Sequence, residues 1–380
     1  MHFLVCLFGL SRRELLGSIA TVPSVLLPSP LPVLGISEAS APGSVEKSTN
    51  EVNPTLTPNE LTKQFIESQF DKDAQIVWPL EGLPATTPFR YAFVQGRVPP
   101  PAPPLAYPRY MEGTFTLRAT FKKVSFPQSS KALSNNELST LPGYRQGSCI
   151  MLPNVGASPA PYTQRFLSNG GKVFADHAFN NPRRLEAGCP AVQLESVRNY
   201  PFGGDGKATA AVAAGGISCY VSGNGCTDKE NPGLHLPSAR FGITYGGQTA
   251  RRDALVQQTV DTTVIAVRST IGQDASAQPK DSGEPFYAAQ TFIQDDIEQG
   301  QQSAYTEFLQ LDPPQKGGLS EEQQERSAGA VKGKLRVAAF LSGPPPESDS
   351  NAAGSKAPDR RAAIALYDYD LLFEPVLTDV

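Results

Sequence analysis

The chain has 380 residues, with 33 Lys and Arg against 37 Asp and Glu and a formal net charge of −4. Mild acidity without clustered Lys and Arg excludes nucleic acid as a partner, because binding a phosphate backbone needs such clusters. With 33 Gly and 35 Pro against 3 Met and 1 Trp, the composition favours strands joined by long irregular loops over a helical bundle, in a chain long enough to bury a real core.

The first element in chain order reads as an address. Ser11-Arg12-Arg13-Glu14-Leu15-Leu16 precedes an apolar run and the small-residue site Ala39-Ser40-Ala41, the pattern of a twin-arginine signal cleaved after Ala41. The other reading of this segment, a transmembrane anchor, meets Pro23, Pro28, Pro30 and Pro32, each of which removes a helix hydrogen bond where no water can replace it. The mature protein is therefore expected to have no stable membrane span. A bacterial signal opens on charged, polar residues, whereas Met1 to Phe8 is apolar. That difference points to a chloroplast protein bound for the thylakoid lumen.

Residues 42–56 are polar and expected to be flexible. Thr57-Pro58-Asn59-Glu60 has the capping-box spacing with proline at the first helical position, and Leu61, Phe65, Ile66 and Phe70 form a short amphipathic stripe. Val98 to Pro104 reads as a semi-rigid, solvated polyproline spacer, a linker or a docking ligand. The first clear strand follows, with Phe115, Leu117, Ala119 and Phe121 alternating with polar residues. Gln164 to Leu167 and Lys172 to Asp176 flank Ser168-Asn169-Gly170-Gly171, a hairpin signal.

Further strands are expected at 191–198, 241–245, 254–267, 286–294, 303–309, 335–341 and 363–373. Residues 127–148, 201–237, 268–284, 311–331 and 342–360 read as loop insertions. Sequential short strands without intervening helical periods predict a mainly β fold, an antiparallel up-and-down barrel or a sandwich. The expected organisation is a targeting segment at 1–41, an N-terminal segment with a short helix and spacer at 42–104, and a β-barrel domain at 105–376. Cys219 and Cys226 flank the turn-forming Ser222-Gly223-Asn224-Gly225 and read either as a disulfide pair or as free thiols. No zinc spacing is present.

Tyr107-Pro108-Arg109-Tyr110-Met111-Glu112-Gly113-Thr114-Phe115, the block from Arg165 to Asn180 with Ala175-Asp176-His177-Ala178-Phe179-Asn180, and Arg336 to Leu341 with Ala365-Leu366-Tyr367-Asp368-Tyr369 resemble a family shared by cyanobacteria and chloroplasts, known as a domain of unknown function. Gly113-Thr114-Phe115 is also similar to the Gly-x-Trp opening strand of lipocalins and other calycin barrels, with Phe115 in place of Trp. The resemblances imply a lipocalin-like barrel.

Candidate site residues follow from chemistry and position. Phe115, Leu117, Phe121, Tyr367 and Tyr369 share inward strand positions and could pack as core or line an apolar cavity. Asp176 and Asn180 suit a hairpin end that bonds nearby amides, and with His177 they form the alternative, a ligand-contacting end. Gly203 to Lys207 lacks the Walker spacing, and Asp295-Asp296 with Glu298 reads as a solvated turn rather than a calcium site. No catalytic motif or cofactor is specified. The expected function is non-enzymatic: binding an apolar small molecule such as a pigment, quinone or lipid, or assisting a photosynthetic complex. The alternatives are a protein-interaction factor with a filled core and, third, a barrel-type lyase or isomerase, which needs a buried polar pair with perturbed pKa facing a void.

Overall fold

Period-two alternation of apolar and polar residues builds most of this protein. The computed structural model describes residues 56–71, 74, 76, 101–128, 160–188, 192–202, 216–220, 233–248, 255–271, 283–297, 301–314, 329–340 and 362–376. All of them belong to one unit, Thr55–Val380. The strands are β1 (Ala106–Tyr107), β2 (Gly113–Ser125), β3 (Tyr162–Asn169), β4 (Lys172–Ala175), β5 (Val192–Pro201), β6 (Ile217–Tyr220), β7 (Ser238–Gln248), β8 (Leu255–Ser269), β9 (Phe286–Asp296), β10 (Gln301–Asp312), β11 (Val331–Phe340) and β12 (Ala365–Pro375). Helices α1 (Pro58–Ser68) and α2 (His177–Gly188) accompany them.

The strands form one 12-stranded antiparallel sheet in the order β1-β4-β3-β2-β12-β11-β10-β9-β8-β7-β5-β6. Strands β2 to β4 and β7 to β12 each pair with the next, and β12 returns to pair with β2. The expected closed barrel is not formed by strand pairing, because the edge strands β1 and β6 do not pair with each other. Between β4 and β5 the chain leaves the sheet to make α2, which packs on β3 near one end of the sheet and on β5 and β7 near the other.

The sheet is strongly curled. In the strand order, β1 and β9 are seven spacings apart, about 33 Å in a flat sheet. Yet the rings of Tyr107 on β1 and Phe286 on β9 lie with centroids 6.0 Å apart. The same fold-over lets the Ala102 N–H donate to the Val264 carbonyl of β8 at 2.8 Å and buries Leu105. The end of the polyproline stretch is therefore docked rather than solvated; its first part, 98–100, lies outside the described residues.

Curling separates two apolar clusters. The concave face holds the main core, including Phe115, Leu117, Phe166, Val264, Phe292, Tyr305, Val337, Tyr367, Tyr369 and Phe373. The convex face holds Tyr287, Ala289, Phe308, Ala338, Phe340 and Leu366, covered by Phe65, Ile66 and Phe70 from α1 and the residues after it. Helix α1 starts with the expected capping box: the Thr57 N–H donates to Glu60 Oε2 at 2.7 Å, and the Glu60 N–H donates to Thr57 Oγ1 at 3.3 Å. The β3–β4 hairpin also forms as read, with Gly170 and Gly171 at φ 60° and 78°, a left-handed pair that glycine adopts without a Cβ penalty.

Two elements differ from the sequence reading. Helix α2 stands where a strand end was expected, and its buried face is Ala178, Asn180, Asn181, Pro182 and Leu185. With so few apolar residues and a proline inside, it has no clear helical period. Strand β6 lies inside the insertion read over 201–237 and pairs with β5. Cys219 on β6 is disulfide-bonded. Cys226, Ala41 and the whole targeting segment lie outside the described residues, as do Gly203 to Lys207 and Glu298. Among the described residues, no helix is long and apolar enough to cross a membrane.

Candidate functional site

Alternation puts Tyr305, Glu307, Leu309 and Leu311 of β10 on one face of the sheet, and Tyr305 and Leu311 belong to the concave core. Glu307 is thus a charged group in an apolar row. Register places it between Gln290 of β9 and Val337 of β11, with Tyr367 next on β12. The adjacent rung runs Leu309, Leu335, Tyr369 and Phe121, and the Phe121 and Tyr369 rings meet edge-on at 5.6 Å.

Glu307 and Leu309 lie on a strand paired on both sides and face the core, yet each is only partly buried; Val267, also partly buried, lies past the last rung that β8 makes with β7. Tyr107 from β1 and Arg184 from α2 are also partly buried and act on this region electrostatically.

Arg184 is the centre of the group. Its guanidinium carbon is 5.8 Å from the centroid of the Tyr162 ring. Burial raises the phenol pKa of Tyr107, Tyr162, Tyr305 and Tyr369, and the Arg184 charge opposes the rise in every case. Burial likewise raises the Glu307 carboxyl, with Arg184 pulling it back. Burial opposes the Arg184 charge, but Tyr162 and Glu307 more than offset it and hold its pKa above the usual value. All four phenols stay protonated at neutral pH and act as hydrogen-bond donors.

Two of these donors have no acceptor. The Tyr369 hydroxyl is buried without a hydrogen-bond partner among the described residues, and the Tyr162 hydroxyl, which takes a hydrogen bond from Arg184, has no acceptor there for its own proton. Leaving a buried hydroxyl unbonded costs about 1–3 kcal/mol. Both lie in the field of the Arg184 charge.

The family-like block folds differently. Asp176 precedes α2 and accepts the Phe179 N–H at 3.1 Å, an N-terminal cap. Its carboxylate also accepts from Arg165 of β3, at 2.9 Å from Nε and 2.6 Å from Nη2, and lies 3.0 Å from Nδ1 of His235. Asn180 accepts the Arg165 N–H at 2.7 Å and donates to the Arg165 carbonyl at 3.0 Å. His177 stacks on Phe241 of β7, with centroids 4.3 Å apart. Asp176, His177 and Asn180 thus tie β3, α2 and β7 together across the break in the sheet.

Of the remaining sequence candidates, Phe115 packs edge-on against Phe166 and Phe373, and Leu117 and Tyr367 are buried in the same core. Phe121, partly buried, packs edge-on against the buried Tyr369. Sequence reasoning missed Tyr162, Arg184 and Glu307. Glu307 left a signal, an acid in phase with Tyr305, Leu309 and Leu311; Arg184 left none, because its helix has no legible period. Among the described residues, no group of three or more His, Cys, Asp or Glu could hold a metal ion. No family model, curated protein or solved structure matches this chain.

Proposed function

We propose that this protein works in the thylakoid lumen, is akin to the cyanobacterial and chloroplast domain family it resembles, and holds an apolar small molecule such as a pigment, quinone or lipid. The concave face serves in place of a lipocalin interior. The observation that carries the reading is that Phe121, Glu307 and Leu309 stay only partly buried on the concave face, in the field of the Arg184 charge. An apolar cavity with a few convergent polar groups is the usual form of a small-molecule site. Such a protein would store or deliver its ligand, or present it to a photosynthetic complex.

Purification of the native protein from isolated thylakoid lumen, followed by absorbance and mass spectrometry of extracted small molecules, tests this. One apolar compound near one equivalent per chain is the expected result. A protein that arrives empty and does not bind a fluorescent apolar dye overturns the proposal in favour of an interaction factor with a filled core.

A second reading, a lyase or isomerase, draws on Glu307. Its carboxyl is raised by burial and faces Arg184, the kind of environment that tunes a carboxylate for general acid–base work. Glu307→Gln separates the two: ligand retention without Glu307 supports a holder, and chemical conversion of the bound compound that stops in the variant supports an enzyme.

A further inference from the structure

The edge strands β1 and β6 leave the sheet open, and α2 packs on β3 near one end and on β5 and β7 near the other. Both histidines beyond His2 stand where this helix meets the sheet. His177, the first residue of α2, stacks on Phe241 of β7 with centroids 4.3 Å apart and planes inclined by 19°. His235, in the turn before β7, lies by its Nδ1 3.0 Å from the Asp176 carboxylate. We propose that α2 is an acid-released clasp: protonation of His177 frees the helix from β7 and parts the open side of the sheet, while the central strands stay folded.

The charges around His177 set the direction. The acid next to it, Asp176, is already engaged by Arg165 of β3, at 2.9 Å from Nε and 2.6 Å from Nη2, by His235 and by the Phe179 N–H. A proton on His177 therefore adds a cation beside an anion that is already matched. Arg184, two turns further along the helix, adds a like charge. The first turn of a helix is also where positive charge opposes the macrodipole. Other charged groups on the packed elements are engaged elsewhere: Arg183 pairs with Glu186 at 3.2 Å, and Glu195 and Arg198 of β5 and Arg240 of β7 bond Gln257, Ser218 and Asp261. Phe241 offers only a weak cation–π attraction in return. Burial, with Arg184 adding to it against Asp176, lowers the His177 pKa to about 4, so a released ring, near 6.5, takes up a proton that the docked ring refuses. Release is local because α2 is no part of the ladder and breaks no strand pairing when it leaves.

Hydrogen exchange read by mass spectrometry tests this on the full mature chain at pH 7 and pH 4.5, with rates corrected for their intrinsic pH dependence. In wild type, α2 should lose about thirtyfold more protection than β9 to β11 between those two conditions, the effect of one histidine that titrates only when released. His177→Phe keeps the stack without titrating and should remove the difference. His177→Gln serves the same purpose where the Phe variant does not fold.

Equal loss of protection in α2 and in β9 to β11 of wild type overturns the clasp, because acid then weakens the whole chain and releases no helix. The same local loss in wild type and in the non-titrating variant also overturns it, by assigning the release to another group. Should neither variant fold, the imidazole proton signals of wild type decide. A His177 ring that gains its proton at the pH where α2 loses protection supports the clasp, and one that gains it while α2 stays protected, or stays neutral after α2 is released, overturns it.

Discussion

Arg336 and Asp368, side by side on β11 and β12, form a two-point ion pair on the convex face, with Nε to Oδ1 at 2.6 Å and Nη2 to Oδ2 at 2.9 Å. The remaining guanidinium nitrogen, Nη1, donates to the carbonyls of Gln69 and Asp71 at 2.6 Å each, satisfying groups left open where α1 ends. The Arg336 side chain is only 3% exposed. One residue thus fastens the N-terminal helix to a sheet whose ladder it is not part of.

Arg336→Met should therefore destabilise the protein by about 3 kcal/mol, the low end for breaking a buried pair, because Lys123 still faces Asp368 at 3.6 Å. Urea melts read the loss, and limited proteolysis should cut near α1 sooner than in wild type. A change below about 1 kcal/mol would show that α1 is held by its apolar face and by the Arg268–Thr62 and Tyr287–Glu67 hydrogen bonds instead.

Tyr369→Phe should leave the ligand-free protein as stable as wild type or more stable by about 1 kcal/mol, since it removes a buried hydroxyl that has no partner. Thermal melts of stripped protein measure this. A loss of 2 kcal/mol or more would reveal a bond that the hydroxyl makes in the folded chain.

Phe115→Ala should cost about 3–5 kcal/mol, as truncating an aromatic inside a packed cluster does. Phe115 is 4% exposed and contacts Phe166 and Phe373 edge-on. Denaturant midpoints check the value, and a small loss would mean that the cluster can collapse around the gap.

His177 makes stability depend on pH. Burial, with Arg184 adding to it against the opposing charge of Asp176, lowers its pKa to about 4, below the roughly 6.5 of an unfolded chain. Between those values the unfolded state binds more protons than the folded one, so this contribution is fully present above about pH 6.5 and is lost as pH falls toward 4. His177→Phe keeps a ring to stack on Phe241 and removes the titration. Wild type should lose on the order of 2 kcal/mol more than the variant between pH 7 and 4.5; parallel losses would place His177 in contact with water.

The mature protein should begin at Pro42, because Ala39 and Ala41 supply the small residues that a signal peptidase accepts. N-terminal sequencing of protein from the lumen reads this directly. Import should fail when Arg12 and Arg13 are both replaced by Lys, and import of that variant without a proton gradient would point to another route.

Local rules made several elements legible in the sequence. The Thr57 to Glu60 spacing, the alternation from Phe115 to Phe121, and the paired glycines at 170 and 171 act between near neighbours, so their outcome needs no distant partner. The inward side of β12, with Tyr367 and Tyr369, followed from the same period. What tertiary structure alone decided acts across the curl. The sheet stays open between its edge strands β1 and β6, with α2 packed on β3 and on β5 and β7, and α2 has too few apolar residues to show a helical stripe. Arg184 stands over the Tyr162 ring and its charge acts on Glu307 and Tyr369 only because the tertiary fold brings that helix to the concave face. Arg336 reads in sequence as an ordinary strand residue, and its partners Gln69 and Asp71 are more than 260 residues away along the chain. Periodicity shows which way a side chain points, but only the folded curvature of the sheet determines which other residues stand opposite it.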